Sequence, residues 1–562
     1  MRKLVLTIVL STMGSAAVLY GCHADENDPA GQAGELGDPV RRENAVANIV
    51  RMYTTKLSAH DGDRSHAEVK AIADATVEKL TQTFLDHPED TQNRAAIVNL
   101  LYEMRDPRSL PALVQALDWR SEVSEDPAIR AAQTLKVMEI PEDKKGEVIE
   151  ALSEALDKIT GARGVDNRMR IEFIRALGDI DDRRATPILT KIATTQTEEQ
   201  NFLINRLAAQ QLGRLEDPAA VPAMIKGLFL FAPNNPAMRM NDVAAEALVR
   251  IGRPSFEPLL AVLRGSNEDV NTIVTQYIEA VRQRDEQAAN SMSVEGLRSA
   301  EATFALGALG VADALEPILA EAREEDLGRR LNAAVALVRL NLSDAQRAQM
   351  RDTLKTVYQA QENPMAKAQL LAAMRHTYDA ALLPFLLDEV RNDRQLPDIR
   401  LVAVESYAML ANKQESAALR TVIDREPASE DGGFKENFQA YDPALAVANE
   451  CDEDVACWIG KLGADDKLVV RKAAYMLGRF GRGNDDAISA LTDKLGHPEI
   501  EVRLAAIQAL DAAATSGNSE SIDAAVTKIN QLEETEEGRS IWNNFSREAL
   551  PIQARLRHRA SS

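Results

Sequence analysis

Arg206-Leu207-Ala208-Ala209-Gln210-Gln211-Leu212-Gly213, followed by Glu216-Asp217-Pro218 and then by Val221-Pro222-Ala223-Met224-Ile225, is one copy of a pattern that recurs along the chain. Arg471-Lys472-Ala473-Ala474-Tyr475-Met476-Leu477-Gly478 repeats its first half at every key position. Each part has a physical reading. Ala-Ala lets helix backbones approach, Leu at helical spacing fills the space between layers, Gly ends the first helix in a left-handed conformation, and Pro in the next helix's opening turn loses no hydrogen bond. The unit is a helical hairpin, and since one hairpin cannot bury its apolar face, neighbours must stack.

Outward from this copy, others begin near Arg94 (with Ala95, Ala96, Asp106 and Pro107), Arg130, Arg170 (with Leu177, Gly178 and Pro187), Val243, Ala300 (with Leu306, Gly307 and Pro317), Arg330, Arg400 and Arg503. Arg94, Arg130, Arg170 and Arg206 lie 36, 40 and 36 residues apart, and Arg330, Arg400 and Arg471 lie 70 and 71 apart, about two units each. That is the period of a solenoid. Only 4% of the 562 residues are aromatic, which suits stacked helices better than a sheet core. The expected fold class is all-α, an α-solenoid: a superhelical array of roughly 12 to 14 hairpins with little or no sheet.

A formal net charge of -22 opposes general nucleic-acid binding, because a phosphate backbone needs a concentrated basic face. The acidity reads as a solvated exterior or as an acidic groove for a basic partner. None of the seven histidines pairs at helical spacing with another His or with Cys, so no zinc site is expected. Gly-x-Ser-x-Gly and Gly-x-x-x-x-Gly-Lys are absent, and Gly478, Gly481 and Gly483 lack the strand a dinucleotide fingerprint needs. No catalytic residue, cofactor or metal is expected.

Arg2 and Lys3 open the chain, Leu4 to Tyr20 carries no charge, and Gly21 and Cys22 follow. This is the order of a signal peptide. Leu19-Tyr20-Gly21-Cys22 resembles the lipobox of bacterial lipoproteins, with Tyr20 larger than the residue usual there. The resemblance implies a signal peptide over 1–21 and lipidation of Cys22. Residues 22–38, rich in Gly and acids, are expected to form a flexible tether with a reach of roughly 20 to 25 Å. His23 stands where Asp would favour inner-membrane retention, so the expected place is the outer membrane facing the periplasm, with the cell surface as the other option.

The repeat resembles HEAT repeats of the subtype named for phycobilin lyases, over about residues 39–528. With the lipobox, the chain is similar to multi-repeat bacterial envelope lipoproteins. In HEAT proteins an Asp in the inter-helix turn and an Arg form a ladder between layers; Asp217 with Arg206 or Arg250, and Asp126 with Arg130, occupy comparable places. The anchor fixes a location and the repeats supply extended surface without chemistry, so the expected function is a membrane-anchored, non-catalytic scaffold or adaptor that binds other envelope proteins through its concave face or loops. Its rivals are a lyase-like or cofactor-binding protein, which a pocket of converging Tyr, Asp or Arg side chains would favour, and a purely structural envelope lipoprotein.

Interruptions of a repeat are where function concentrates. The first spans about 229–241, where Phe229, Phe231, Met238 and Met240 surround a turn-rich stretch and form a candidate partner-binding site; otherwise Phe229 to Phe231 end a buried helix that the methionines cover. The second spans about 425–441, an expected mobile insertion with Phe434, Phe438 and Tyr441 as aromatic anchors. Val281 to Glu295 reads as a polar connection. With Cys22 lipidated, Cys451 and Cys457 remain as an even pair in an oxidising compartment, read as a disulfide. Six residues in one helix would separate their Cα atoms by roughly 9 Å, so Cys451 must precede the helix that holds Cys457. Residues 529–562 are expected to form a capping helix and tail, in which Trp542, Phe545 and Leu550 cover the last layer and Arg555, Arg557 and Arg559 complement the helix dipole.

Overall fold

The computed structural model describes residues 24–120, 127–161, 164–195, 201–232, 234–427 and 434–560. It divides into two compact units, residues 1–159 and 160–562, each a stack of helical hairpins. The described residues form thirty-one α-helices and one pair of short strands.

The repeat's joint is built by an aspartate. Helix Phe202–Leu215 ends at Glu216, whose φ is 47°, and the Asp217 carboxylate then accepts from the Ala219 N–H to start the single turn Pro218–Ala220. Helix Val221–Gly227 follows, with Pro222 in its first turn. The same joint recurs at Arg105-Asp106, Asp181-Asp182 and Tyr378-Asp379, each a residue at positive φ followed by a capping Asp. The role expected of the repeat's glycines is therefore corrected. Gly213 lies inside its helix, where an added Cβ would stand 3.0 Å from the Ala247 Cα; at Gly307 the Ala336 Cα would be at 2.9 Å. These glycines let successive first helices touch backbone to backbone, and the chain reverses three residues later.

The recurrent arginine also has a definite job. Arg42 Nε donates to the Leu36 carbonyl at 2.8 Å, Arg94 to Pro88 at 3.2 Å and Arg503 to His497 at 2.6 Å, in each case six residues back. Arg400 reaches the Val390 carbonyl at 2.8 Å. The guanidinium at the start of a first helix thus ties down the link from the preceding hairpin, and burial of Arg42, Arg94, Arg400 and Arg503 makes each such charge-assisted bond costly to lose.

Arg206 belongs to another class: it pairs with Asp242, 36 residues on, at 2.6 Å. The expected ladder partner, Asp217, is occupied in its own turn, and Arg250 pairs with Glu246 in its own helix at 3.0 Å. The link between layers runs from first helix to first helix. Asp126 lies outside the described residues.

Three further expectations need correction. Residues 24–38 are folded: Asp28 caps helix Pro29–Glu35, and Gln32, Ala33 and Leu36 are buried against helices Arg42–Ala59 and Ala67–Asp86. A boundary at 529 would cut helix Ser519–Glu534; the C-terminal helix is Glu536–Ala560. The connection over 281–295 contains helix Glu286–Asn290, capped by Asp285. Cys451 ends helix Asp442–Cys451, Asp454 caps helix Val455–Lys461, and Cys457 in its first turn is bonded to Cys451 with Cα atoms 5.3 Å apart.

Candidate functional site

The first interruption forms an antiparallel pair, β1 (Phe231–Ala232) and β2 (Asn235–Arg239). Phe229 and Met240 are buried, with the Met240 methyl filling the space over Gly227. Phe231 meets Tyr277 edge-on at 5.3 Å, and Met238 is half-buried. Arg239 lies 5.0 Å over the Tyr277 ring and bonds Glu301 at 2.9 Å. In the second interruption Phe438 is buried with the Arg400 guanidinium 5.2 Å from its ring, and Tyr441 is half-buried beside Glu405. The side chain of Phe434 lies outside the described residues, as does Cys22. Phe229, Met240 and Phe438 are thus removed as contact residues, because their surfaces are already spent on the core.

The described residues place a different surface at the centre of unit 160–562. Helix Glu536–Ala560 packs on Ser519–Glu534 and Ile500–Ala513, the last layer, and also on Asn241–Ile251 and Val294–Leu309. Phe545, Ala549, Ile552, Ala554 and Leu556 are buried, with Ala554 against Val249 and Ala308. Its basic residues meet the ends of first helices. Arg555 donates to the Ala308 carbonyl at 2.5 Å, Arg559 to the Asp511 carbonyl at 2.6 Å, and His558 Nε2 lies 3.4 Å from the Val249 carbonyl. Arg557 pairs with Glu216 at 3.0 Å.

The last carbonyls of a helix lack intrahelical partners and carry the negative end of its dipole, so a row of first-helix ends is a row of acceptors. Asp511 adds a full charge, held by Arg555 at 2.6 Å and Arg559 at 2.8 Å. Burial pushes its carboxyl up, and the two guanidiniums outweigh burial and hold it below the usual range. The repeats use the same chemistry on one another. Lys472 Nζ donates to the Ala408 carbonyl at 2.7 Å and to that of Ala411, and Arg479 bonds the Leu410 carbonyl, so helix Pro397–Leu410 is capped by the helix 467–480 packed on it. Burial drives Lys472 well below an ordinary lysine, and neighbouring Arg479 adds to that.

What this arrangement does chemically is bind a basic amphipathic helix; among the described residues no three His, Cys, Asp or Glu side chains gather to hold a metal ion. Sequence reasoning placed Arg555, Arg557 and Arg559 only on their own helix. Their partners stand 27 to 341 residues away, and no spacing rule reaches that far.

A family model described as PBS lyase HEAT-like repeat matches residues 94–118 and 205–229, two of the hairpins above. No curated protein matches the chain. Among solved structures, Kap121p bound to Nup53p aligns at 10% identity and a TM-score of 0.40 over 92% of this chain and 53% of that one, so this chain spans about half of Kap121p. The UNC-45 chaperone aligns at 12% identity and a TM-score of 0.28, over 93% of this chain and 80% of that one. An engineered protein aligns at 15% identity and a TM-score of 0.28, over 94% and 99%. The stacked hairpins, their recurrent joint and the two matched stretches identify a helical solenoid that carries HEAT-type repeats.

Proposed function

We propose that the chain is a non-catalytic scaffold of the bacterial envelope, anchored by lipid on Cys22, that binds other envelope proteins by taking a helical segment along its row of first-helix ends. The observation that carries this reading is the C-terminal helix itself. It occupies that row with buried apolar residues on one face and arginines on helix-end carbonyls and carboxylates, which is how a groove binds an amphipathic helix. A partner helix with the same pattern of apolar and basic residues competes for the same place. The sequence of the first 22 residues supports the anchor, with the outer membrane facing the periplasm as its site.

The test is affinity purification from detergent-solubilised envelopes after crosslinking in cells, with the full chain, Cys22→Ala and Arg557→Glu. A defined protein partner is expected, reduced in Cys22→Ala and enriched in Arg557→Glu, where the resident helix is held less firmly. Recovery of only the chain itself in all three would favour a purely structural role and sink the scaffold.

A further inference from the structure

Within unit 160–562, a cavity of about 830 Å³ lies between the C-terminal helix and the repeats. Arg339, Arg347, Arg479 and Arg482 reach its wall from the repeats, and Arg547, Arg555 and Arg559 from the C-terminal helix. Three carboxylates line it with them, Asp344, Asp511 and Glu548. Seven guanidiniums against these three carboxylates, and Glu415 behind the wall on Arg479, leave three positive charges in excess, in a chain whose net charge is -22. Such a reversal of sign is costly unless something offsets it.

Some of these arginines are already engaged: Arg479 with Glu415 at 2.7 Å, and Arg555 and Arg559 with Asp511. Arg339 is held more loosely, 3.8 Å from Glu548 and 5.2 Å over the Phe304 ring, and among the described residues Arg347 reaches only the Leu342 carbonyl, at 3.4 Å. Arg482 and Arg547 are exposed and make no ion pair among the described residues. Burial lowers the Arg339 guanidinium below an ordinary arginine; Glu548 opposes this, and the positive charges of Arg555 and Arg547 add to it.

A second, independent feature lies in the same wall. His376 Nδ1 and the Tyr378 hydroxyl are buried without a hydrogen-bond partner, a state that ordinarily costs about 1 to 3 kcal/mol per group. Burial pushes His376 down to about 3, with Arg375, Arg339 and Arg471 adding to it. The ring is therefore neutral and offers one N–H and one lone pair. Phe304, Val335, Met350 and Ile552 supply apolar wall. The volume falls within the roughly 300 to 1,000 Å³ of small-molecule sites.

We infer that this cavity binds a small soluble molecule bearing two or more phosphate or carboxylate groups. Planar guanidiniums match both groups with paired hydrogen bonds, which a lone ammonium does not. The site requires the C-terminal helix to be in place, since three of its arginines ride on it. Binding therefore pins that helix to the repeats. The cavity shares Arg555, Arg559 and Asp511 with the row of helix ends, so its ligand opposes a partner helix that displaces the resident one, but its test uses the purified chain alone and needs no partner.

The experiment is calorimetric titration of the purified full chain with inorganic tripolyphosphate and, separately, with citrate, paired with limited proteolysis of the C-terminal helix. Saturable binding of at least one probe is expected, with the helix protected. Arg347→Glu/Arg482→Glu is expected to weaken binding about tenfold or more. Arg264→Glu/Arg323→Glu, an equal charge change at exposed positions outside the cavity, leaves binding unchanged. Should the first pair fail to fold by circular dichroism, Arg347→Gln/Arg482→Gln gives the same reading with about threefold weakening. No saturable binding at about 1 mM of either probe, or equal weakening by both pairs, overturns the site. So does arginine-dependent binding to phosphatidylglycerol vesicles, absent with phosphatidylcholine, when both soluble probes fail; that assigns the anion to a lipid headgroup.

Discussion

Between Phe229 and Met240 the chain carries a dense set of large apolar side chains, whereas residues 555–559 carry three arginines and a histidine. By hydropathy the first stretch is a sticky loop and the second a solvated end. In the fold the loop is consumed locally by Tyr277, Glu301 and Gly227, while the basic turn spans from Asp511 back to Glu216. The difference lies in where each stretch finds its complement. Apolar groups are satisfied by whatever lies within a few ångströms, but a guanidinium needs an acceptor at a set distance and angle. A repeat array offers such acceptors at regular places, its helix ends, so a basic helix laid across them is bonded at several layers at once.

The sharpest way to break this contrast is to remove the helix. Ending the chain after Thr535 uncovers the surfaces that bury Phe545, Ile552, Ala554 and Leu556 and leaves Asp511 unpaired; a loss of more than about 5 kcal/mol is expected in urea unfolding. A loss below that of the loop variant given last would reverse the comparison. Next in size is Arg555→Met, which keeps bulk and removes the bonds to Asp511 and Ala308; about 3 kcal/mol is expected, because the buried carboxylate keeps only Arg559.

His376 gives a pH reading of the same wall. Its folded pKa of about 3 lies below the ordinary 6.5, so the unfolded chain binds the proton first. Stability is full above the ordinary value, falls as pH drops through the window from 6.5 towards 3, and levels below it. At pH 5 the loss from this one group is about 2 kcal/mol relative to neutral pH. In His376→Asn the fall between pH 7.5 and 5 shrinks by that amount in denaturant titrations; an unchanged slope would show that the ring is already open to protons. The smallest effect expected is at Phe231→Ala, about 1 kcal/mol from one half-buried edge-on ring contact, with protein partners recovered in crosslinked pull-downs unaltered. Loss of a partner there would return the loop to the status of a contact surface.

Much of the fold was legible because the repeat writes it many times over. The Arg, Ala-Ala, Leu and Asp-Pro positions located the hairpins, but the roles of glycine and of the Asp and Arg of the expected ladder differ from their reading in one repeat. Gly213 was read as a helix end because its neighbour 247 was invisible from its own repeat. The early helix Pro29–Glu35 was missed for a related reason: its buried residues are Gln32 and Ala33, followed by Leu36, too few and too small to register as a stripe. The groove was illegible altogether. Arg339, Arg347, Arg479, Arg482 and Arg547 come from separate helices and links, and taken singly each reads as a solvated surface charge. Only the packing of helices distant in sequence brings them to one wall, and no single repeat encodes which distant layer it will face.

The bond from Arg555 to Ala308 closes a loop of 247 residues. Hairpin stacks ordinarily fold by neighbour-to-neighbour growth, with low contact order and no need to wait for distant chain. Here the piece that locks the stack is synthesised after every layer it bonds. Until it arrives, the ends of several first helices stand uncapped and the inner apolar wall is open, so the growing chain passes through a long interval as an aggregation-exposed, partly finished array. Helix Glu536–Ala560 then ties separate hairpins of unit 160–562 to one another, as a keystone does the stones of an arch.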